Sequence, residues 1–444
     1  MKHSSKKMNR HFIATSIFTT IVVSALFSSC KKNDSPSNNQ VSQYSSDVVD
    51  KWMGMQLRLI KNTTGVPNQA FGRHYAYAGI TALESIVPGL HGNMLTHRKW
   101  NGLTGLPTPE HLARYYYPAN VNAGLAAINR AMFPNASAAD KAAIDSLESA
   151  LYQSFSGEQS DVLARSVAFG KAVAAAVFNW AETDGSKTVY PAWVLPTGPG
   201  KWKPTPPANA APASPYWGNN RTVITGSIDN TAPPAPTAYS EDPGSDFYKM
   251  VKNVYESANA ATDDQKAAVL FWKDVPGATS PGHWISITQQ VIRQKAARLD
   301  KAVFAYAMTG SALNDAAISC WKYKYIHNLV RPITYIREVM GYANWNTHIP
   351  TPAHPEYTSG HSVLAAATAN TLQRIFGNIG TFTDHTYDYM GFAPRTYNSF
   401  VDIAKEGGQS RVWGGIHYQE SVDLGLIQGK KVFDNIFSNV HASF

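Results

Sequence analysis

Three short segments in the last third of the chain concentrate cations, imidazoles and small residues in a way that packing alone does not require. They cover 321–332, 354–361 and 410–417. Arginine presents a planar fork of donors that matches a tetrahedral oxyanion, and lysine adds a compact positive charge. The three segments together predict an oxyanion pocket built from Lys324, Arg331, Ser359, Gly360, His361, Arg411 and His417.

The first segment does not determine how its two cations are placed relative to each other. Lys324 and Arg331 are seven residues apart, so on one continuous helix they would lie on the same face. Pro332 disfavours helical backbone at Arg331, so the two cations are equally compatible with two separate elements. Taken alone, such a pair is more typical of solvated surface charge, and the other two segments are needed for the prediction.

The second segment has the features of an anion seat. Gly360 allows the backbone to approach a ligand closely, and the helix predicted to follow it offers free N–H groups and a positive dipole end. Ser359 adds a hydroxyl donor, and His361 adds a group that moves protons near neutral pH. The alternative for Ser359 is a helix cap with no ligand.

The order of the three segments resembles the signature shared by type 2 phosphatidic acid phosphatases, bacterial acid phosphatases and vanadium-dependent haloperoxidases. This resemblance implies an α-helical bundle in which His417 bonds the central atom of phosphate or vanadate. It also implies that His361 is the acid–base group. The oxygens would be bound by Lys324, Arg331, Arg411, Ser359 and the Gly360 amide.

Two positions depart from that signature. The family usually has proline where Thr358 stands, and aspartate where Ser421 stands. A carboxylate on the far imidazole nitrogen fixes the tautomer of the bonding histidine and raises its basicity. We therefore expect Glu420 or Asp423 to supply that carboxylate in place of residue 421.

The resemblance implies one of two reactions. In a haloperoxidase the pocket would hold vanadate, for which phosphate competes, and hydrogen peroxide would oxidise a halide to hypohalous acid, which an organic acceptor can consume. In a phosphatase His417 would attack phosphorus and His361 would protonate the leaving oxygen. Trp321 and His354 stand where the resemblance places a halide pocket, and they favour a haloperoxidase that uses bromide or iodide. A phosphate-binding protein without turnover is a further alternative.

The amino terminus predicts a bacterial lipoprotein of the cell envelope. Four cations precede an apolar run at 12–27, and small residues lead to Cys30, which would be lipidated after removal of a signal at 1–29. A simple secreted protein and an uncleaved membrane anchor are the alternatives. The polar stretch 30–45 would be a flexible tether that faces the periplasm or the cell surface, ahead of a catalytic domain at 46–444.

Charge and cysteine content argue against a nucleic-acid partner and against an internal disulfide. Removal of the signal takes away four positive and no negative charges, so the net charge falls from +8 to +4, which gives little support to a nucleic-acid partner. Cys320 is the second of two cysteines, so with Cys30 acylated the domain has no internal disulfide. Packing must hold the fold.

Hydrophobic periodicity predicts an all-α multi-helix bundle. The stretch 191–243 is too rich in proline for helices, and we expect it to be a covering loop pinned by Trp202, Tyr216 and Trp217. The motif core would span 321–425. The predicted helices are 46–62, 68–86, 120–133, 137–155, 160–182, 262–272, 285–308, 311–328, 361–376, 396–406 and 420–437.

Overall fold

The computed structural model describes residues 40–90, 97–273 and 280–441. The predicted signal at 1–29 and Cys30 lie outside the described residues. Thirteen α-helices occur in the described parts of the chain: α1 (Asp47–Asn62), α2 (Phe71–Ile86), α3 (Tyr117–Met132), α4 (Ala138–Ser154), α5 (Ser160–Ala181), α6 (Asp246–Asn259), α7 (Asp263–Phe271), α8 (Ser280–Gln294), α9 (Leu299–His327), α10 (Pro332–Glu338), α11 (Gly360–Phe376), α12 (Phe400–Trp413) and α13 (Gln419–Asn439).

The centre of the fold is α9, which is buried along nearly its whole length. It contacts α2 and α8 on one side and α11 and α13 on the other. Behind α2 lie α3 and α5, while α12 covers α11. A helix buried on every side needs apolar or small residues all round, and α9 has mostly this composition between Ala302 and Cys320, with Asn314 and Asp315 as buried exceptions.

Glycine allows α2 and α9 to cross with their backbones in contact. A methyl group on Gly79 would lie 2.6 Å from the Ala307 Cα atom, and one on Gly310 would lie 2.7 Å from the Ala76 Cα atom. Both distances are far below van der Waals contact. The crossing therefore fixes the rotation of α9 and the direction in which its last turn points.

Extended structure is confined, in the described residues, to two short antiparallel pairs. The strand β1 (His97–Arg98) pairs with β4 (Val440–His441), and β2 (Phe382–Asp384) pairs with β3 (Arg395–Tyr397). The predicted all-α class is thus confirmed. No helix in the described part of the chain combines the length and apolarity needed to cross a membrane.

Several predicted helix boundaries were wrong. The helix predicted at 285–308 is broken at 295–298, where Ala296 has a left-handed φ of 46° and Arg298 is extended. Apolar spacing continues through this turn, so periodicity alone does not detect it. The helix predicted at 396–406 begins at Phe400 and runs to Trp413, because Tyr397 belongs to β3 and Ser399 caps the helix. The prediction missed α6 and α10.

The folded part begins earlier than the predicted boundary at 46. Val41–Gln43 forms a single 3-10 turn, and Val41 is buried. The Tyr44 carbonyl accepts a hydrogen bond from the Leu299 backbone N–H at 3.0 Å, and Arg298 donates to the Ser42 carbonyl at 3.1 Å. The predicted tether at 30–45 is therefore too long at its carboxyl end.

The proline-rich stretch 191–243 lies along α9 without forming an α-helix. Trp202 and Trp217 are buried, and the Ala213 carbonyl accepts hydrogen bonds from Trp321 Nε1 at 3.2 Å and from the Tyr325 hydroxyl at 2.7 Å. Proline cannot supply a ladder of backbone donors, so indole and phenol side chains make these attachments.

The α2–α9 crossing gives a stability prediction. We expect Gly79→Ala to lower the free energy of unfolding by roughly 1–3 kcal/mol or more, because the added methyl group meets backbone atoms that cannot move aside. Gly54→Ala is the matched control, since its methyl group meets nothing closer than 3.8 Å. For Gly54→Ala we expect the free energy of unfolding to rise by about 0.5–1 kcal/mol, because alanine has the higher helix propensity. Equal effects in urea unfolding would contradict the close crossing.

Candidate active site

A cavity of about 320 Å³ lies where the last turn of α9, the start of α11 and the end of α12 converge. Among the predicted site residues, six line this cavity: Trp321, His354, Gly360, His361, Arg411 and His417. The other three, Lys324, Arg331 and Ser359, are fully buried beside it. The structure thus brings together all seven residues of the predicted oxyanion pocket and both residues of the predicted halide pocket.

Lys324 lies in the last turn of α9 and donates to three backbone carbonyls. Its Nζ atom is 3.1 Å from the Pro355 oxygen, 3.0 Å from the Glu356 oxygen and 2.5 Å from the Thr358 oxygen. An ammonium has three protons, so these bonds use its full donor capacity. Burial lowers the pKa of Lys324, and nearby Arg331 lowers it further.

Arg331 caps α10 in an extended conformation, with φ −81° and ψ 150°. The helix α9 has already ended at His327, so the two cations belong to separate elements. Arg331 donates from Nε to the His354 carbonyl at 2.9 Å, from Nη2 to His354 Nδ1 at 3.0 Å, and from Nη1 to His417 Nε2 at 3.2 Å. Burial lowers its pKa to about 10, which still leaves it charged at neutral pH.

The tautomer of His417 follows from these contacts. A guanidinium can only donate, so His417 Nε2 is an acceptor and the ring proton is on Nδ1. That proton is donated to Glu356, whose Oε1 atom lies 2.7 Å away. Burial and the neighbouring cations Arg331 and Lys324 hold the pKa of His417 well below its usual value. His417 is therefore a neutral imidazole whose lone pair is on Nε2.

The carboxylate partner of His417 was predicted wrongly. Glu420 accepts hydrogen bonds from the backbone and hydroxyl of Thr237, and Asp423 accepts one from Gln419 at 2.9 Å on the surface. Glu356, from the loop before α11, takes the role instead. Its sequence signal is weak: it is an acidic residue within a run of aromatic, proline and histidine residues.

The cap predicted as the alternative role of Ser359 is confirmed at the start of α11, and its role as a ligand donor stays a prediction. The Ser359 hydroxyl accepts the Ser362 backbone N–H at 3.5 Å as a helix cap, while Gly360 lines the cavity beside the Trp321 ring. His361 donates from Nε2 to the Trp272 carbonyl at 3.0 Å, which orients its ring at the cavity. The helix N-terminus, its hydroxyl and an imidazole thus meet at one end of the cavity.

Arg411 reaches the cavity from the last turn of α12. It is 1% exposed and donates to the Ser410 hydroxyl and to the Val269 carbonyl, both at 3.1 Å. On the opposite side, the rings of Trp321 and His354 have centroids 5.0 Å apart. Burial, with Lys324 and Arg331 nearby, keeps the pKa of His354 well below its usual value, so this ring is neutral too.

Comparison with known proteins supports this geometry. A family model described as the VCPO second helical-bundle domain matches residues 304–444. A bacterial vanadium-dependent iodoperoxidase of solved structure is 29% identical, with a TM-score of 0.80 over 90% of this chain and 97% of that one. The carboxyl-terminal third of the chain is thus similar to a vanadium chloroperoxidase domain, and the whole described fold is similar to a vanadium-dependent iodoperoxidase.

Further solved structures show the same fold at greater distance. A bacterial vanadium-dependent chloroperoxidase in its holo form is 16% identical, with a TM-score of 0.62 over 86% of this chain and 94% of that one. Its apo form is 15% identical, with a TM-score of 0.60 over 85% of this chain and 95% of that one. No curated protein sequence matched this chain.

The buried charges of the pocket are suited to a tetrahedral oxyanion such as vanadate. Lys324, Arg331 and Arg411 are each at most 1% exposed, and among the described residues no carboxylate lines the cavity. Glu356, behind His417, offsets at most one of the three positive charges, since burial raises its pKa to about 7. Buried charges are stable when they are paired, so the remaining excess calls for an anion with several acceptor oxygens.

The charge excess gives a binding prediction. We expect phosphate, which vanadate resembles in shape and charge, to raise the melting temperature of the apo protein. A ligand at 100 times its dissociation constant adds about 2.7 kcal/mol to the free energy of unfolding. Arg411→Ala should abolish most of the shift. Arg374→Ala, at the exposed end of α11 and about 20 Å from Gly360 along the helix, should retain it. Equal phosphate shifts in both variants would contradict the assignment of the pocket.

Proposed function

We propose that this protein is a haloperoxidase that oxidises bromide or iodide with hydrogen peroxide, in the balanced reaction of peroxide, halide and one proton to hypohalous acid and water. The observation that supports the proposal is the tautomer and position of His417. This residue is a neutral imidazole with its lone pair on Nε2, held between Glu356 and Arg331 on the wall of a cationic cavity. Such a nitrogen is suited to bond the vanadium atom of vanadate.

The other residues of the pocket have separable roles in this proposal. Lys324, Arg331 and Arg411 neutralise the oxygens of the cofactor, and the Ser359 hydroxyl and Gly360 amide complete its cradle. When bound, vanadate supplies a Lewis acid that activates the O–O bond of the peroxide. His361 accepts a proton from the incoming peroxide and returns it to the oxygen that leaves as water.

The halide preference is argued from the wall formed by Trp321 and His354. These rings contact each other and border the cavity. His354 Nδ1 lies 3.0 Å from Arg331 Nη2 and 3.2 Å from the Pro355 carbonyl; since the guanidinium can only donate, we assign the ring proton to Nε2. An N–H donor beside an aromatic face suits a large, weakly hydrated anion such as bromide or iodide. The similar iodoperoxidase also supports this choice over chloride.

The outer part of the cavity supports the use of an organic acceptor for the hypohalous acid. Its walls are apolar and include Ile349, Pro350, Pro352 and Leu364. A pocket of a few hundred Å³ with such walls is typical of sites for organic molecules. We propose an aromatic acceptor of modest size.

The location proposed for the enzyme is the bacterial cell envelope, through a lipid on Cys30. The support is the amino-terminal sequence, in which basic residues, an apolar run and small residues precede this cysteine. Incorporation of radiolabelled lipid into wild-type protein, and its loss in Cys30→Ser, is the expected result.

An activity measurement tests the main proposal. The full chain is stripped of vanadate, reloaded with orthovanadate and assayed for peroxide-dependent oxidation of bromide and iodide. We expect vanadate-dependent turnover that His417→Ala reduces by at least about a hundredfold, since the nitrogen that bonds the metal is lost. Glu420→Gln should retain wild-type rates. Hydrolysis of a chromogenic phosphate ester without halide oxidation would instead establish a phosphatase.

A second measurement tests the halide wall. Trp321→Phe removes the indole N–H that donates to Ala213 and part of the ring beside Gly360. We expect kcat/KM for bromide to fall roughly tenfold and that for iodide to fall less, with the vanadate dissociation constant unchanged. Trp193→Phe is the matched control, because Trp193 contacts Tyr325 outside the cavity lining. Equal losses for the two halides would contradict the assignment.

A further inference from the structure

Position 421 is a buried site that lacks the expected carboxylate. Ser421 lies in the first turn of α13 and is fully buried. Its hydroxyl has no hydrogen-bond partner within strict geometry among the described residues, whereas its carbonyl accepts the Ser359 backbone N–H at 3.1 Å. A serine too short to reach His417 thus occupies the place where the family signature has aspartate.

Glu356 approaches the same place from a different segment. It is fully buried, and its Oε1 atom accepts hydrogen bonds from His417 Nδ1 at 2.7 Å and from the Tyr418 backbone N–H at 2.9 Å. Its Oε2 atom has no partner within the same strict geometry. Burial raises the pKa of Glu356 to about 7, and Arg331, Lys324 and the nearby Ser421 hydroxyl each act in the opposite direction. The serine hydroxyl and the second carboxylate oxygen therefore share one buried space.

The backbone around Glu356 is held as firmly as its side chain. Its N–H donates to the Leu329 carbonyl at 3.0 Å, and its own carbonyl accepts from Lys324 at 3.0 Å. The backbone of Glu356 therefore cannot move away from His417 without breaking its contacts to Leu329 and Lys324. This arrangement links the loop before α11 to His417.

We propose that Glu356 is the positioning residue of His417, and that it supplies from the loop before α11 the carboxylate that the family signature places at position 421. The proposal rests on the proposed function insofar as His417 bonds the vanadium. Without any cofactor, Glu356 holds the ring proton of His417 on Nδ1 and leaves Nε2 with its lone pair.

The space at 421 explains why one carboxylate suffices. Two carboxylates in one buried space would repel each other, and one would have to take up a proton. A neutral acid competes poorly for the Nδ1 proton of His417. Serine at 421 leaves room for Glu356 and offers a hydroxyl to its second oxygen, so the two residues are compatible as a pair.

The test is to move the carboxylate from position 356 to position 421. Four full-chain variants are compared with wild type: Glu356→Ala, Glu356→Gln, Ser421→Asp and the double variant Glu356→Ala/Ser421→Asp. Two quantities are measured for each. The tautomer of His417 is read from ¹⁵N-histidine NMR spectra of the apo protein, with the resonance assigned by its loss in His417→Ala. The dissociation constant for orthovanadate is measured by equilibrium dialysis.

We expect Glu356→Ala to give a mixture of tautomers and to raise the vanadate dissociation constant roughly 10–100-fold. The double variant should restore the Nδ1-protonated tautomer and recover most of the affinity. Glu356→Gln keeps an oxygen acceptor, so it should preserve the tautomer with a smaller loss of affinity. Ser421→Asp alone should bind vanadate no better than wild type, because the two acids compete.

Three results would overturn the proposal: an unchanged tautomer in Glu356→Ala, a folded double variant with neither tautomer nor affinity restored, or a mixed tautomer in Glu356→Gln. The last applies even if Glu356→Ala fails to fold. Failure of the proposed function is a separate result, since absent halide oxidation in wild type leaves the apo tautomer measurement intact. Glu420→Gln is the control for loss of a nearby negative charge, and we expect it to change neither quantity.

Discussion

Three cations, Lys324, Arg331 and Arg411, are buried around a cavity whose described lining contains no carboxylate. Removing a charge from water costs several kcal/mol unless it is paired or hydrogen-bonded. The protein offsets part of this cost with backbone carbonyls, which accept all three protons of Lys324 and two of the hydrogen bonds of Arg331. The conformation of the loop before α11 follows from this requirement, since most of these carbonyls belong to it.

The bundle places the ends of helices at the cavity. The last turn of α9 brings Lys324, the first turn of α11 brings Gly360 and His361, and the last turn of α12 brings Arg411. Side chains at helix ends can point toward a common centre while the rest of each helix remains in the core. The tight crossing of α2 over α9 makes this placement rigid, because the rotation of α9 is set by backbone contact.

The two histidines that border the cationic end are held in defined states. His417 has its proton on Nδ1 because Arg331 can only donate to Nε2, and His361 donates from Nε2 to a carbonyl. The lone pair of His417 is thereby directed through Nε2, while the bond from His361 Nε2 orients the second ring at the cavity. The division of roles comes from hydrogen-bond partners outside the cavity, which is the usual way in which proteins tune metal-binding and acid–base histidines.

The sequence by itself determined the fold class and the composition of the pocket. Helical periodicity reports burial along one element, and the types and spacing of Lys324, Arg331, Ser359, Gly360, His361, Arg411 and His417 report chemistry that packing does not require. It did not locate the break at 295–298, because Ala296 and Ala297 fit a helical pattern and the left-handed turn leaves no residue signal. Nor did it identify Glu356, which is distant from His417 along the chain and is brought beside it by the loop that Lys324 and Leu329 hold. Contacts of this kind depend on backbone bonds between separate segments, so only the tertiary structure decided which carboxylate serves the histidine.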